Sequence, residues 1–115
     1  MDFKMHLTGY VSDNILKIAS SYDNVSEIRI RKNQKLCITS GSKNYVHNYI
    51  VSPKELEDCV TSFCKNSIHT YHEYIIQGYI PFDYGYRIGV CGNAVCENNK
   101  IINLSDITCI NIPKN

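Results

Sequence analysis

Two β-type segments carry arginines at regular positions: Glu27-Ile28-Arg29-Ile30-Arg31 and Tyr86-Arg87-Ile88-Gly89-Val90. A guanidinium is a planar fork of donors suited to bidentate contact with phosphate or carboxylate, so Arg29, Arg31 and Arg87 gathered on one sheet would make an anion-binding face. Strict alternation sends the arginines to one side of each strand and the apolar residues to the other. Gly89 beside Arg87 leaves room for something to approach. Gly85, in Asp83-Tyr84-Gly85, supplies a turn residue able to take φ > 0. The competing reading is that Glu27, Arg29 and Arg31 are solvated or cross-strand paired, worth a few tenths of a kcal/mol each.

Other reactive side chains are less ordered. His69 and His72, three apart on an expected helix, would be half a metal site with no third ligand in view, and solvated or partly packed histidines are expected. The six cysteines include two C-x4-C pairs, Cys59/Cys64 and Cys91/Cys96, rather than the tighter spacing of most zinc sites. On a helix, Cys59 and Cys64 point about 140° apart. Cys91 and Cys96 read as small buried strand residues, and free, mostly buried thiols are expected throughout. Gly89-Val90-Cys91-Gly92 mimics the G-x-x-G of a KH loop, yet it sits in strand sequence without basic neighbours. Tyr71, Tyr74, Tyr79, Tyr84 and Tyr86 cluster around the second arginine segment and are expected to line a core edge or a domain interface. No Ser/His/Asp or Cys/His set is ordered as nucleophile, base and orienter, so no catalytic or metal residues are assigned. The six glycines offer no G-x-x-x-x-G-K-[S/T] spacing, and hence no phosphate-cradling loop.

The chain has 115 residues and is 43% hydrophobic, enough for one domain with a modest core. A net charge of +1 provides no overall field toward nucleic acid or anionic membrane. No apolar run approaches the roughly 20 residues that span a bilayer, and the N-terminal Met-Asp-Phe-Lys-Met-His lacks a signal peptide's apolar region, so a cytoplasmic location is expected.

Several elements must position the arginines. Ser12 is expected to cap a helix running to about Ser21, with Val11 packing on Leu16. Strands follow at Glu27–Arg31 and Leu36–Thr39, then Tyr45-Val46 and Tyr49-Ile50-Val51, separated by turns. Ser52-Pro53-Lys54-Glu55 reads as a capping box opening a helix whose buried stripe is Leu56, Cys59, Val60 and Phe63. A second helix is expected over Ile68–Ile76, closed by Gly78. The stretch from Gln77 to Val95 then forms a hairpin, a loop at Glu97-Asn98-Asn99-Lys100 leads from Ala94-Val95-Cys96 to a strand at Ile101–Leu104, and Ile107, Cys109 and Ile112 finish a last apolar run. One helix, about three strands, two helices and about four strands argue an α+β fold: an antiparallel sheet packed with two or three helices.

Three colinear segments, E-I-R-I-R at Glu27–Arg31, V-S-P-K-E-L-E at Val51–Glu57, and the run from Gln77 to Ile112 ending D-I-T-C-I-N-I, resemble the N-terminal part of stage III sporulation protein AA. The resemblance covers about residues 12 to 112. That family is similar to the type II and type IV secretion ATPases, in which a PAS-like N-terminal domain precedes a RecA-like ATPase core. The resemblance implies a non-catalytic, PAS-like N-terminal domain over residues 1–115, with the ATPase core absent from this chain, which is then a fragment or a truncated relative. It further implies ATP and Mg for the full-length family, and a homo-oligomeric ring in which Arg29, Arg31 and Arg87 reach a nucleotide on the domain's own or a neighbouring core. Sporulation membrane-complex proteins are implied as partners, with a mother-cell cytoplasmic location, no nucleic acid and no direct membrane insertion. Departures are Tyr86 before the hairpin arginine, where the family usually has His or Gly, and Pro113 after Asn111-Ile112, where it has Arg. The alternative is an independent single-stranded nucleic-acid-binding module, discriminated by salt-sensitive binding to labelled RNA or DNA.

Overall fold

A computed structural model describes residues 3–114 as two layers, helices on one face of a six-stranded antiparallel sheet. The elements are α1 (Phe3–His6), α2 (Asp13–Ser20), β1 (Val25–Arg31), β2 (Lys35–Ser40), β3 (Lys43–Ile50), α3 (Pro53–Phe63), α4 (His72–Ile76), β4 (Tyr79–Phe82), β5 (Tyr86–Glu97) and β6 (Lys100–Pro113). The expected α+β class is what the chain adopts. Its strand order is β3-β2-β1-β6-β5-β4, so the last strand inserts between the first meander and the hairpin.

The core lies between the layers. Ile28, Ile30, Leu36, Ile38, Ile80, Ile88, Ile110 and Ile112, each fully buried, come from one face of the sheet, because alternate residues of a strand point the same way. Cross-strand partners such as Ile28 with Ile112 and Ile30 with Ile110 join these strands on that face. Helix α3 covers the face with the expected stripe Leu56, Cys59, Val60 and Phe63, and α2 adds Ile15 and Ala19. Among the described residues no helix is long and apolar enough to cross a membrane.

Local chemistry sets the helix starts. Ser12 Oγ accepts from the Ile15 amide at 3.2 Å and Ser52 Oγ from the Glu55 amide at 3.1 Å, so each hydroxyl satisfies one donor that the helix leaves open. The capping box is only half made: the Glu55 carboxylate turns away to accept from the hydroxyls of Ser12 and, at 2.7 Å, Tyr49. That choice ties α2, β3 and α3 together.

Four expectations are corrected, and one short helix is added to the expected elements. Four residues, Phe3–His6, form a helix that no periodicity announces. Strand β3 is continuous from Lys43 to Ile50, its irregularity absorbed by a register shift against β2. The expected helix over Ile68–Ile76 is a 3-10 turn at Ile68–Tyr71 followed by the short α4, after Lys65 and Asn66 take positive φ. The two last apolar runs are a single 14-residue strand, β6. A two-residue turn, Asn98-Asn99 with φ of 52° and 63°, joins it to β5, as the twist of a tight hairpin favours. The last correction concerns the cysteines: Cys59 and Cys64 are buried, but Cys91 and Cys96 are exposed, Cys91 because it stands on the sheet face away from the helices and Cys96 because it lies where β5 pairs with β6 alone.

β5 and β6 outrun the sheet. β1 pairs with β6 only as far as Cys109, and β4 pairs with β5 only as far as Gly89, so beyond these points β5 and β6 continue as a two-stranded ribbon. Three register irregularities, each placing an extra residue on β6, coil this ribbon. The first falls at Gly92, where an added Cβ would lie 2.3 Å from the Asp106 carbonyl oxygen.

Candidate functional site

The sheet face away from the helices holds no buried residue among those described, and all three arginines stand on it. Register places them. Arg29 pairs with Asn111, and Asn111 with Gly89, so Tyr79, Gly89, Asn111, Arg29 and Cys37 form one row across five strands. Arg87 sits two residues from Gly89 on the same face, and Arg31 pairs with Cys109, the partner of Cys91.

The three arginines share this face but do not all stand on adjacent strands. β1 and β5 are both partners of β6, not of each other, so Arg29 and Arg87 are rooted two strand spacings apart, about 10 Å. Each has its own setting. Arg29 Nη2 lies 3.1 Å from Glu27 Oε1 and its Nε donates to Asn111 Oδ1 at 3.2 Å, an exposed pair of modest energy. Arg31 lies half-buried with Nη2 3.3 Å from Cys37 Sγ, while its Nε is buried without a hydrogen-bond acceptor among the described residues. Arg87 is exposed and stacks its guanidinium carbon 4.5 Å from the centre of the Tyr79 ring. No acidic group lies within ion-pair distance of Arg87 among the described residues.

The two glycines differ in role. Gly85 has φ of 80° and follows Tyr84, itself at φ 64°, so the β4–β5 turn spends two residues in the left-handed region. The Tyr84 ring stacks on His6 with centroids 3.8 Å apart, which anchors that turn to α1. Gly89 has no positive φ, and an added Cβ would meet Asn111 Cβ at an ordinary 3.5 Å. Beside Arg87, a shallow hollow of about 280 Å³ is lined by Gly85, Tyr86, Arg87, Pro113 and Lys114. Tyr79 is one of the tyrosines expected around the second arginine segment, whereas nothing local to Asn111 or Lys114 marks them; the cross-strand register, set by the insertion of β6, brings Asn111 to this face.

The tyrosines divide into two groups. Tyr71, Tyr74 and Tyr79 form a chain of rings toward Arg87, the first pair tilted and the second edge to face, with centroids 6.2 Å and 5.6 Å apart. Tyr86 is buried and its hydroxyl lies 2.8 Å from His6 Nδ1. His69 and His72 fall on either side of the break between the 3-10 turn and α4, not on one helix face. Among the described residues no group of three or more His, Cys, Asp or Glu side chains is placed to hold a metal ion.

A second depression of about 480 Å³ lies between α2, β3 and α3, with Ser12, Tyr49, Glu55 and Cys59 in its wall. Its polar groups satisfy one another. Burial, then the Glu55 hydrogen bond, raises the Tyr49 hydroxyl above its usual range, and burial pushes the Cys59 thiol up to about 12. A neutral thiol and an occupied carboxylate leave little for a ligand, and the cleft is a structural joint.

The geometry can be set beside known proteins. A family model described as sporulation stage III, protein AA, matches residues 3–115. The solved structure of the Legionella pneumophila ATPase DotB shares the fold at a TM-score of 0.54 and 21% identity, over 89% of this chain and 27% of that one. The VirB11 ATPase of the Brucella suis type IV secretion system, solved in complex with sulphate, aligns at a TM-score of 0.49 and 15% identity, over 96% of this chain and 30% of that one. This chain therefore spans less than a third of either ATPase. No curated protein matches it. The match over residues 3–115 makes the chain a member of the sporulation stage III protein AA family.

Proposed function

We propose that this chain is a non-catalytic, PAS-like N-terminal domain of a sporulation ATPase, which docks through its open sheet face on an ATP-hydrolysing core and orients it. The observation that carries this reading is the family match over nearly the whole chain, combined with a fold shared with about a quarter of an ATPase chain. The chain's own residues do not fit Mg–ATP: its glycines have no phosphate-loop spacing, and no described acidic cluster is placed for a metal ion. Nucleotide chemistry would belong to the core. Arg87 is the residue best placed to reach it, since it is exposed, has no acidic partner among the described residues, and borders the hollow with Lys114 just past the end of β6. Arg29 is held by Glu27 and Asn111 and suits a positioning contact better. Assembly with further copies into a ring, and contact with membrane proteins of a sporulation apparatus, belong to the same proposal.

The test is ATP turnover by the full-length protein, with this domain joined to its core. Arg87→Ala is expected to lower turnover at least tenfold while the isolated domain keeps its melting temperature. Unchanged turnover would remove Arg87 from the nucleotide site. Tight, salt-sensitive binding of labelled single-stranded RNA or DNA by the isolated domain would overturn the docking reading.

A further inference from the structure

Cys91 and Cys109 face each other across β5 and β6 as direct register partners, and no other two of the six cysteines are so placed. The Val90 amide donates to the Gly78 carbonyl, on the side away from β6, so the neighbouring Cys91 directs its backbone groups to β6. The pair is therefore of the hydrogen-bonded kind, with Cα atoms about 5.5 Å apart. A disulfide accepts about 4.4–6.8 Å between Cα atoms and about 3.5–4.5 Å between Cβ atoms, so forming the bond draws the two strands together by about 1 Å at this pair. The settings of the two thiols differ. Cys91 is exposed, whereas Cys109 is half-buried beside Arg31, with its thiol raised by burial and by Cys91. Their place in the fold is equally specific: Arg31 with Cys109 is the last pairing of β1 with β6, and the first bulge follows between Cys91 and Gly92. Beyond this point β5 and β6 pair as strands only with each other, although Leu104 and Ile107 still pack on the core.

We propose that Cys91 and Cys109 are a dithiol site for hydroperoxides, which convert the pair to an intrachain disulfide that staples the ribbon at its root. The Cys91 thiol gives up its proton and the thiolate attacks one oxygen of hydrogen peroxide; the O–O bond breaks, the departing hydroxide takes up that proton as water, and Cys91 becomes a sulfenic acid. The Cys109 thiol then attacks the Cys91 sulfur, the S–O bond breaks and a second water leaves. Two thiols and one hydrogen peroxide give one disulfide and two waters, the sulfurs losing two electrons to the oxygens. Cys37 lies on the same face, but β1 and the Arg31 side chain stand between it and Cys109. Cys96 is exposed further along the ribbon opposite Ile101 and has no thiol across from it.

The test treats the reduced protein with hydrogen peroxide, blocks remaining thiols with N-ethylmaleimide, and maps the peptides by mass without reduction. The expected product joins the peptides containing Cys91 and Cys109, with loss of two hydrogens. Closing the loop around the ribbon should raise the melting temperature by about 10 °C, reversibly with dithiothreitol. Cys91→Ser and Cys109→Ser should each abolish product and shift, and Cys37→Ser and Cys96→Ser should keep both. Sulfinic acid on Cys91 with Cys109 untouched, a crosslink through Cys96 between copies, or both thiols intact after peroxide would overturn the proposal. The wild-type peptide map reads these outcomes even if a variant folds poorly.

Discussion

Gly89 and Gly92 lie three residues apart on β5, yet substitution by alanine should be costly at Gly92 and nearly neutral at Gly89. At Gly92 a new Cβ would sit 2.3 Å from the Asp106 carbonyl oxygen, 2.9 Å from its carbon and 3.0 Å from the Ile107 Cα. All three are backbone atoms, so no side chain can swing aside. Relief requires the strands to part by about 1 Å at the bulge, which breaks about two ladder hydrogen bonds at roughly 1 kcal/mol net each, about 2 kcal/mol in all. With unfolding entropy of about 2.1 cal/mol/K per residue over 115 residues, 1 kcal/mol moves the melting temperature by about 4 °C. Gly92→Ala should therefore melt about 8 °C lower. At Gly89 the new methyl meets Asn111 Cβ at 3.5 Å, an ordinary contact, and the φ is not positive, so Gly89→Ala should change stability by less than about 0.5 kcal/mol. Calorimetry of both variants decides the matter, and hydrogen exchange should show lost protection in residues 92–107 alone for Gly92→Ala. An unchanged melting temperature for Gly92→Ala, or an equal loss for Gly89→Ala, would refute the argument.

Three further outcomes follow from the same structure. Ser52→Ala removes one N-cap bond and should cost about 1 kcal/mol by urea unfolding, whereas Ser12→Ala also strips Glu55 of a donor and should cost more. Burial raises the Cys59 thiol from 9.0 to about 12, so its contribution is complete below pH 9 and is lost as pH climbs from 9 toward 12, at up to about 1.4 kcal/mol per pH unit; Cys59→Ala should flatten that decline. Iodoacetamide on the folded protein should label exposed Cys91 and Cys96 quickly, and buried Cys59 and Cys64 only after denaturant is added, as followed by mass spectrometry.

Legibility from sequence tracked the range of the interactions. The Ser52-Pro53-Lys54-Glu55 helix start and the stripe from Leu56 to Phe63 were readable because both depend on residues within one or two turns. So was the alternation in Glu27–Arg31, where Ile28 and Ile30 are buried and Arg29 exposed as the pattern requires. The α4 region misled because Lys65 and Asn66 adopt a left-handed backbone that no local preference demands; Lys65 is held there by Tyr10 and Asp83, distant in the chain. β6 was split because its bulges interrupt the alternation that marks a strand.

The candidate face divides in the same way. By itself the sequence determined which side of its strand each arginine occupies, since the two-residue period of a β-strand is a local property, and it carried the family resemblance in colinear segments. Which strands are neighbours is settled by long-range pairing, so tertiary structure alone decided that β6 separates Arg29 from Arg87, that Tyr79 lies under the Arg87 guanidinium, and that Cys91 meets Cys109. It also turned the Glu55 carboxylate from its expected cap to Ser12 and Tyr49, because hydroxyls from two other elements offered hydrogen bonds in a partly buried joint.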